Sequence, residues 1–156
     1  MKRRKFIQSF SLLSLLATKS YAWETEPFYP SISINEKSFE KAFNEIRGDR
    51  VVVESKEVEI SMPEIAENGA VVPIMVQVNS PMSSDDYVKC IHLLTKNHSN
   101  SRFISVYLSP KNGKAIFRTL LNLDESATVF AIVELSDGRV IQASKYVKVS
   151  IGGGCC

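Results

Sequence analysis

Apolar and polar residues take turns along most of this chain. In "KYVKVSI", Val147, Val149 and Ile151 alternate with Lys148 and Ser150, the period-2 pattern of a strand with one buried and one wet face. Seven runs rich in β-branched and aromatic residues succeed one another: "VVVESKEVEI", "AVVPIMVQV", "YVKCIHLLT", "RFISVYLS", "KAIFRTLLNL", "ATVFAIVEL" and "VIQASKYVKVSI". Turn chemistry separates them. Asn112-Gly113 and Asp137-Gly138 supply the positive φ that tight hairpins need, so the fourth run is expected to pair with the fifth and the sixth with the seventh. Pro73 stands inside the second run and cannot donate a ladder hydrogen bond, which places that strand at an edge or at a bulge. One stretch changes period. In "NEKSFEKAFNEIRG", Phe39, Ala42, Phe43 and Ile46 recur at helical spacing, with Asn35 as the expected N-cap and Gly48 as the stop. The pattern predicts a mainly β chain, an immunoglobulin-like antiparallel sandwich of about seven strands with one short N-terminal helix. The usual core disulfide is missing from it, because Cys90 is the only cysteine before the last two residues.

The first residues obey another logic. "MKRRKFIQSFSLLSLLATKSYAWETE" opens on Lys2, Arg3, Arg4 and Lys5, continues with a short apolar run from Phe10 to Ala17, and reaches small residues at Ser20 and Ala22. That is the layout of a cleaved export signal, expected to be cut after Ala22. The apolar run is too short for a membrane span, which needs about 20 residues. The Arg3-Arg4 pair with Phe6 after it is similar to a twin-arginine signal, although Ile7 and Gln8 replace the last two residues of that motif. Residues 1–22 are therefore expected to be a twin-arginine-type signal peptide, residues 23–150 the sandwich domain, and residues 151–156 a mobile C-terminal arm. The expected destination is the bacterial periplasm.

Removing the signal changes the charge. The whole chain has 19 Lys and Arg against 17 Asp and Glu. Residues 1–22 hold five of the former and none of the latter, leaving 14 positive against 17 negative side chains, a net charge of −3. A nucleic-acid partner is not expected, because the basic cluster leaves with the signal.

Catalytic motifs are absent from the sequence. His92 sits in the alternating run "CIHLL" and His98 in the polar stretch "KNHSNS", neither with a partner at metal-ligand spacing. No Gly-x-Ser-x-Gly or His-Glu-x-x-His occurs, and Asp85 and Asp86 in "NSPMSSDDY" suit a solvated turn. Cys90 fits a small core hydrophobe. Neither a catalytic residue, a metal site nor a cofactor is expected.

The unusual chemistry lies in "GGGCC". Gly152, Gly153 and Gly154 lack a Cβ and form a hinge rather than a structure. At about 3.5 Å per extended residue, the Cys155 thiol can swing on the order of 14 Å beyond Ile151. Paired cysteines in exported proteins usually become disulfides. A staple, however, works by closing a long loop between packed segments, which residues beyond the last strand do not do. Neighbouring Cα atoms lie only about 3.8 Å apart, so a Cys155–Cys156 bond would be strained and easily reduced.

Together, the tail, the export signal, the segment "PEIAENGAVVPIMVQV" and the "SDG" turn resemble the SoxY family, the sulfur-carrier subunits of bacterial thiosulfate oxidation. Pro63, Ile65, Ala66, Glu67, Asn68, Gly69, Val72 and Pro73 fit the family's pattern Pro-x-Ile-Ala-x-x-Gly-x-x-Val-Pro, and Ser136, Asp137 and Gly138 fit its turn. The family usually ends Gly-Gly-Cys-Gly-Gly, so here the carrier cysteine is displaced outward and doubled. The resemblance implies a covalent carrier, not an enzyme, with sulfur attached at Cys155 or Cys156. It further implies a SoxZ-like subunit as heterodimer partner. Transient partners would be a SoxAX-like c-type cytochrome that loads thiosulfate-derived sulfur, a SoxB-like hydrolase that releases sulfate, and a SoxCD-like dehydrogenase.

Two alternatives stay open on the sequence. The vicinal thiols could bind a soft metal ion such as copper(I), although two thiols without Met or His nearby make a poor closed site. A structural sandwich subunit could instead be linked through tail disulfides. Bound metal, a clean interchain disulfide or sulfur adducts on the last two residues would separate the three readings.

Overall fold

The computed structural model describes residues 32–36, 38–96 and 101–150; the signal region, His98 and the tail residues Gly152, Gly153, Gly154, Cys155 and Cys156 lie outside them. The described elements are β1 (Ile32–Glu36), α1 (Phe39–Arg47), β2 (Val52–Glu54), β3 (Val58–Ser61), β4 (Ile65–Ala66), β5 (Val72–Val78), β6 (Val88–Lys96), β7 (Arg102–Tyr107), β8 (Ala115–Leu121), β9 (Ala127–Leu135) and β10 (Val140–Val149). They build the expected immunoglobulin-like sandwich. One sheet has the order β1-β7-β6-β9-β10-β2, with β4 also pairing β10, and the other the order β3-β5-β8.

The core arises from the alternation. Val129, Ala131 and Val133 of β9, with Ile91 and Leu93 of β6, point at the small sheet, where Val72, Ile74, Val76 and Val78 of β5 meet them. Each of these buried Val, Ile and Leu side chains contributes roughly 1.5–3 kcal/mol. The intervening positions are not wet, because α1 lies on the outer face of the large sheet. Ala42 and Ile46 of the helix pack with Leu94, Ile132 and Val140, and Phe39 stacks on Phe43 at 5.7 Å and tilts against Phe130 at 5.0 Å. β6 and β9 are thus buried on both faces, which explains why their sequences are nearly continuous apolar runs.

Several expectations need correction. The first run divides into β2 and β3 around a turn at residues 55–57, because the chain crosses there from the large sheet to the small one. β1 falls in a segment with no expected element. Its ladder with β7 runs from Ile32 opposite Val106 to Glu36 opposite Arg102, so Asn35 is in a strand and Ser38 is the helix N-cap. Gly48 does end the helix, at φ 55°.

The two turn dipeptides behave differently. Asp137-Gly138 closes the β9–β10 hairpin, with Gly138 at φ 90° and Ile141 opposite Val133. Asn112-Gly113 closes no hairpin, since β7 and β8 belong to different sheets. Pro110 starts a short 3-10 turn there, and the Asn112 side chain accepts the Ser109 N–H at 2.8 Å. The positive φ of Gly113 is used to leave that turn toward the other sheet. β5 is the middle strand of its sheet rather than an edge. Its partner β3 stops opposite Met75, however, so at Pro73 the ladder continues only with β8, and no backbone donor is missed.

Candidate functional site

The described part of the expected site is the place where β10 leaves the body. β10 outlasts its hairpin partner: β9 begins at Ala127, opposite Val147. Successive strand amides point to opposite edges, so the last residues need a new acceptor on each side. On the β9 side, the Val149 N–H donates to Ser126 Oγ at 2.9 Å. On the other side β4 runs parallel to β10, with Lys148 opposite Ile65 and Val149 opposite Ala66. There the Lys148 N–H donates to the Glu64 carbonyl and the Ser150 N–H to the Ala66 carbonyl, both at 2.9 Å.

β4 is itself anchored on its C-terminal side. Asn68 Oδ1 accepts the Ala70 N–H at 2.9 Å and starts the 3-10 turn Gly69–Val71. The Gly69 carbonyl accepts the Leu123 N–H at 2.8 Å, tying this turn to the chain just after β8. Ala66 is buried, whereas Ile65 and Tyr146 remain exposed beside the exit.

A second polar constellation lies on the helix-side face of the large sheet. His92 of β6 and Glu134 of β9 meet at 2.9 Å between Nε2 and Oε1. Arg50, just beyond α1, places Nη1 2.6 Å from Glu134 Oε2 and donates through Nη2 to the Ile46 carbonyl at the end of the helix. On the other side of the ring, His92 Nδ1 is 2.8 Å from Ser105 Oγ, with Cys90 Sγ at 3.7 Å. Burial pushes the His92 pKa below its ordinary value, against the pull of Glu134. A neutral ring then donates from Nε2 to the carboxylate and accepts at Nδ1 from the Ser105 hydroxyl. Burial by itself would raise the Glu134 carboxyl, but hydrogen bonds from Arg50 and His92 outweigh it and the net shift is downward.

The order Ser105–His92–Glu134 has the connectivity of a hydrolytic triad but not its accessibility. Ser105 is 1% and His92 4% exposed. Cys90 is buried too, and burial together with the Glu134 charge pushes its thiol up to about 12. It is a protonated core residue, as its place in the alternation implied. Asp85 and Asp86 lie in a turn where Ser83 and Asp86 bond each other, the Asp86 N–H donating to Ser83 Oγ at 3.1 Å. Among the described residues, no group of three or more His, Cys, Asp or Glu is placed to hold a metal ion. No described helix is long and apolar enough to cross a membrane.

The sequence suggests a core place for Cys90 and no ligand role for His92, but gives Arg50, Ser105 and Glu134 no part. A signal was present. Glu134 interrupts the helix-facing series Phe130, Ile132 just as His92 interrupts the series ending in Leu94, and two polar residues on one apolar face suggest a mutual pair.

The family model for the sulfur oxidation protein SoxY matches residues 43–155. The chain belongs to the SoxY family. The match takes in the second half of α1, every described strand except β1, the β4 exit and the first of the two tail cysteines. The sulfur carrier protein SoxY from Chlorobium limicola f thiosulfatophilum is similar in structure, with a TM-score of 0.56 and 26% identity over 72% of this chain and 96% of that one. A variant of the superoxide reductase (neelaredoxin) from Ignicoccus hospitalis has a TM-score of 0.50 and 19% identity over 62% of this chain and 82% of that one. That second likeness is one of fold alone. No curated protein matches the chain significantly.

Proposed function

We propose that this SoxY-family chain is a sulfur carrier of thiosulfate oxidation, holding sulfur intermediates covalently on its C-terminal cysteines and presenting them to separate enzymes. The observation that carries this reading is the family match itself, which runs to Cys155 and so includes the tail. The likeness to a sulfur carrier of known structure supports it, as does the buried, protonated state of Cys90, which leaves Cys155 and Cys156 as the cysteines suited to react.

Cys155 is the proposed attachment point, with Gly152, Gly153 and Gly154 as its hinge. Cys156 stands one residue further from that hinge. Its proposed task is to protect Cys155 through a readily reopened disulfide. The proposed setting is the periplasm, reached by twin-arginine export of a folded heterodimer with a SoxZ-like subunit. Loading is assigned to a SoxAX-like c-type cytochrome, sulfate release to a SoxB-like hydrolase, and further oxidation to a SoxCD-like dehydrogenase.

Mass spectrometry of the protein isolated from thiosulfate-grown cells tests the reading. Thiosulfonate, persulfide or sulfonate adducts on the last two residues are expected, absent in a Cys155→Ser/Cys156→Ser variant. Unmodified thiols with bound metal, or an interchain disulfide as the sole modification, would sink it. Cys155→Ser is expected to abolish loading and Cys156→Ser to retain it; the reverse pattern would exchange the two roles.

A further inference from the structure

The segment "PEIAENG" has no task in the carrier reading, yet the structure places it against the exit of β10. The backbone donors at Lys148, Val149 and Ser150 are taken by the Glu64 carbonyl, the Ser126 hydroxyl and the Ala66 carbonyl. A strand end projecting two residues past its hairpin partner ordinarily frays. Here it is held from both edges. We propose that β4 and Ser126 act as a clamp on the end of β10, fixing Ser150 to the body so that the tail starts at Ile151. The inference rests on the carrier reading for its consequence, but the clamp can be measured without any sulfur chemistry.

The consequence is one of reach. Cys155, five residues beyond Ser150, reaches at most about 18 Å from it, and each further residue released from β10 would add about 3.5 Å. A longer tether dilutes its tip, lowering the effective concentration of a thiol at a partner's site. Ser126 and the β4 carbonyls are therefore positioning groups, which define the volume the thiol samples without touching it.

Residue-resolved amide exchange on the full folded chain is the direct test. The Val149 and Ser150 amides are expected to be protected while those of Gly152, Gly153 and Gly154 exchange at the unstructured rate. Ser126→Ala should speed exchange at Val149 about five- to tenfold, the effect of one net hydrogen bond, and leave Val147, inside the β9 ladder, unchanged. Ser126→Thr keeps the hydroxyl and should restore protection. Asn68→Ala, which uncaps the turn after β4, should act instead on Ser150.

A second readout tracks the tip. In a Cys156→Ser background, a spin label on Cys155 and another at Glu59→Cys should give a broader distance distribution when Ser126→Ala is added. Unprotected Val149 and Ser150 in the wild type, an equal rise along all of β10, or an unchanged distance distribution would each overturn the clamp. A protected exit on a tail that never accepts sulfur would leave the clamp standing and remove only the carrier reading.

Discussion

The centre of the large sheet and the exit of its strand β10 treat polar groups in opposite ways. At the centre, Arg50, Glu134, His92 and Ser105 form one chain of hydrogen bonds from the end of α1 across β9 and β6 to β7. Every member is occupied by its neighbours. At the exit, the groups that hold the structure are backbone amides, two carbonyls and one hydroxyl, and the flanking side chains Ile65 and Tyr146 face solvent. Burial in the first region favours the neutral forms of His92 and Cys90. The second only fixes a point of departure. Burial holds His92 and Cys90 in their neutral forms, while Glu134 stays ionised against Arg50 and His92, so neither the ring nor the thiol is offered to a partner.

The sharpest way to test this division is to damage the centre and watch the tail. Ile132→Ala, at a fully buried position between α1 and the sheet, should cost about 2–5 kcal/mol, measured as a lower urea midpoint. The rate at which the tail cysteines react with a soluble thiol reagent should stay the same in the folded protein. A changed rate would mean that centre and exit are mechanically coupled.

Glu134→Ala should cost less, about 1–3 kcal/mol, because it leaves Arg50 and His92 without their shared acceptor. The same pair predicts acid sensitivity. His92 is held neutral below its ordinary pKa of 6.5, so the unfolded chain takes up a proton there first, and stability falls as pH drops through 6.5. Glu134 is held ionised below its ordinary 4.5, so a further loss comes as pH drops through that value. Denaturation midpoints at a series of pH values should show both phases, and Glu134→Gln should remove the lower one. A stability that rose on acidification would contradict the neutral assignment of His92.

Cys90 gives a sharper contrast with little change in stability. With its thiol at about 12, only about 10⁻⁴ of it is thiolate at pH 8. In a Cys155→Ser/Cys156→Ser variant, a thiol reagent should find nothing to label until denaturant is added. Prompt labelling of the folded variant would show that the centre is not closed.

Much of this architecture is legible in the chain. The runs rich in β-branched and aromatic residues identify β5 to β10, the helical spacing of Phe39, Ala42, Phe43 and Ile46 identifies α1, and Asp137-Gly138 identifies the last hairpin, because each depends on residues close in sequence. The doubly apolar character of β6 and β9 is legible too, since a strand covered on both faces cannot alternate. The run of glycines leading into two cysteines is also plain in the sequence, and the sulfur chemistry assigned to it is the proposal made above.

Only the tertiary structure could decide the rest. Asn112-Gly113 and Asp137-Gly138 are alike as dipeptides, but one closes a hairpin and the other crosses between sheets, because the path out of a turn depends on where the next strand finds a free edge. Asn35 is able to cap a helix, and instead joins a ladder supplied by β7, far along the chain. Ser105 and Glu134 become partners of His92 only through the register of β6, β7 and β9, and Arg50 reaches Glu134 only because α1 packs on that face of the sheet. The exit of β10 is the clearest case. Ala66 and Ser126 carry no sign of their task, since a backbone carbonyl is the same in every residue and a serine hydroxyl accepts from whatever amide the fold brings to it.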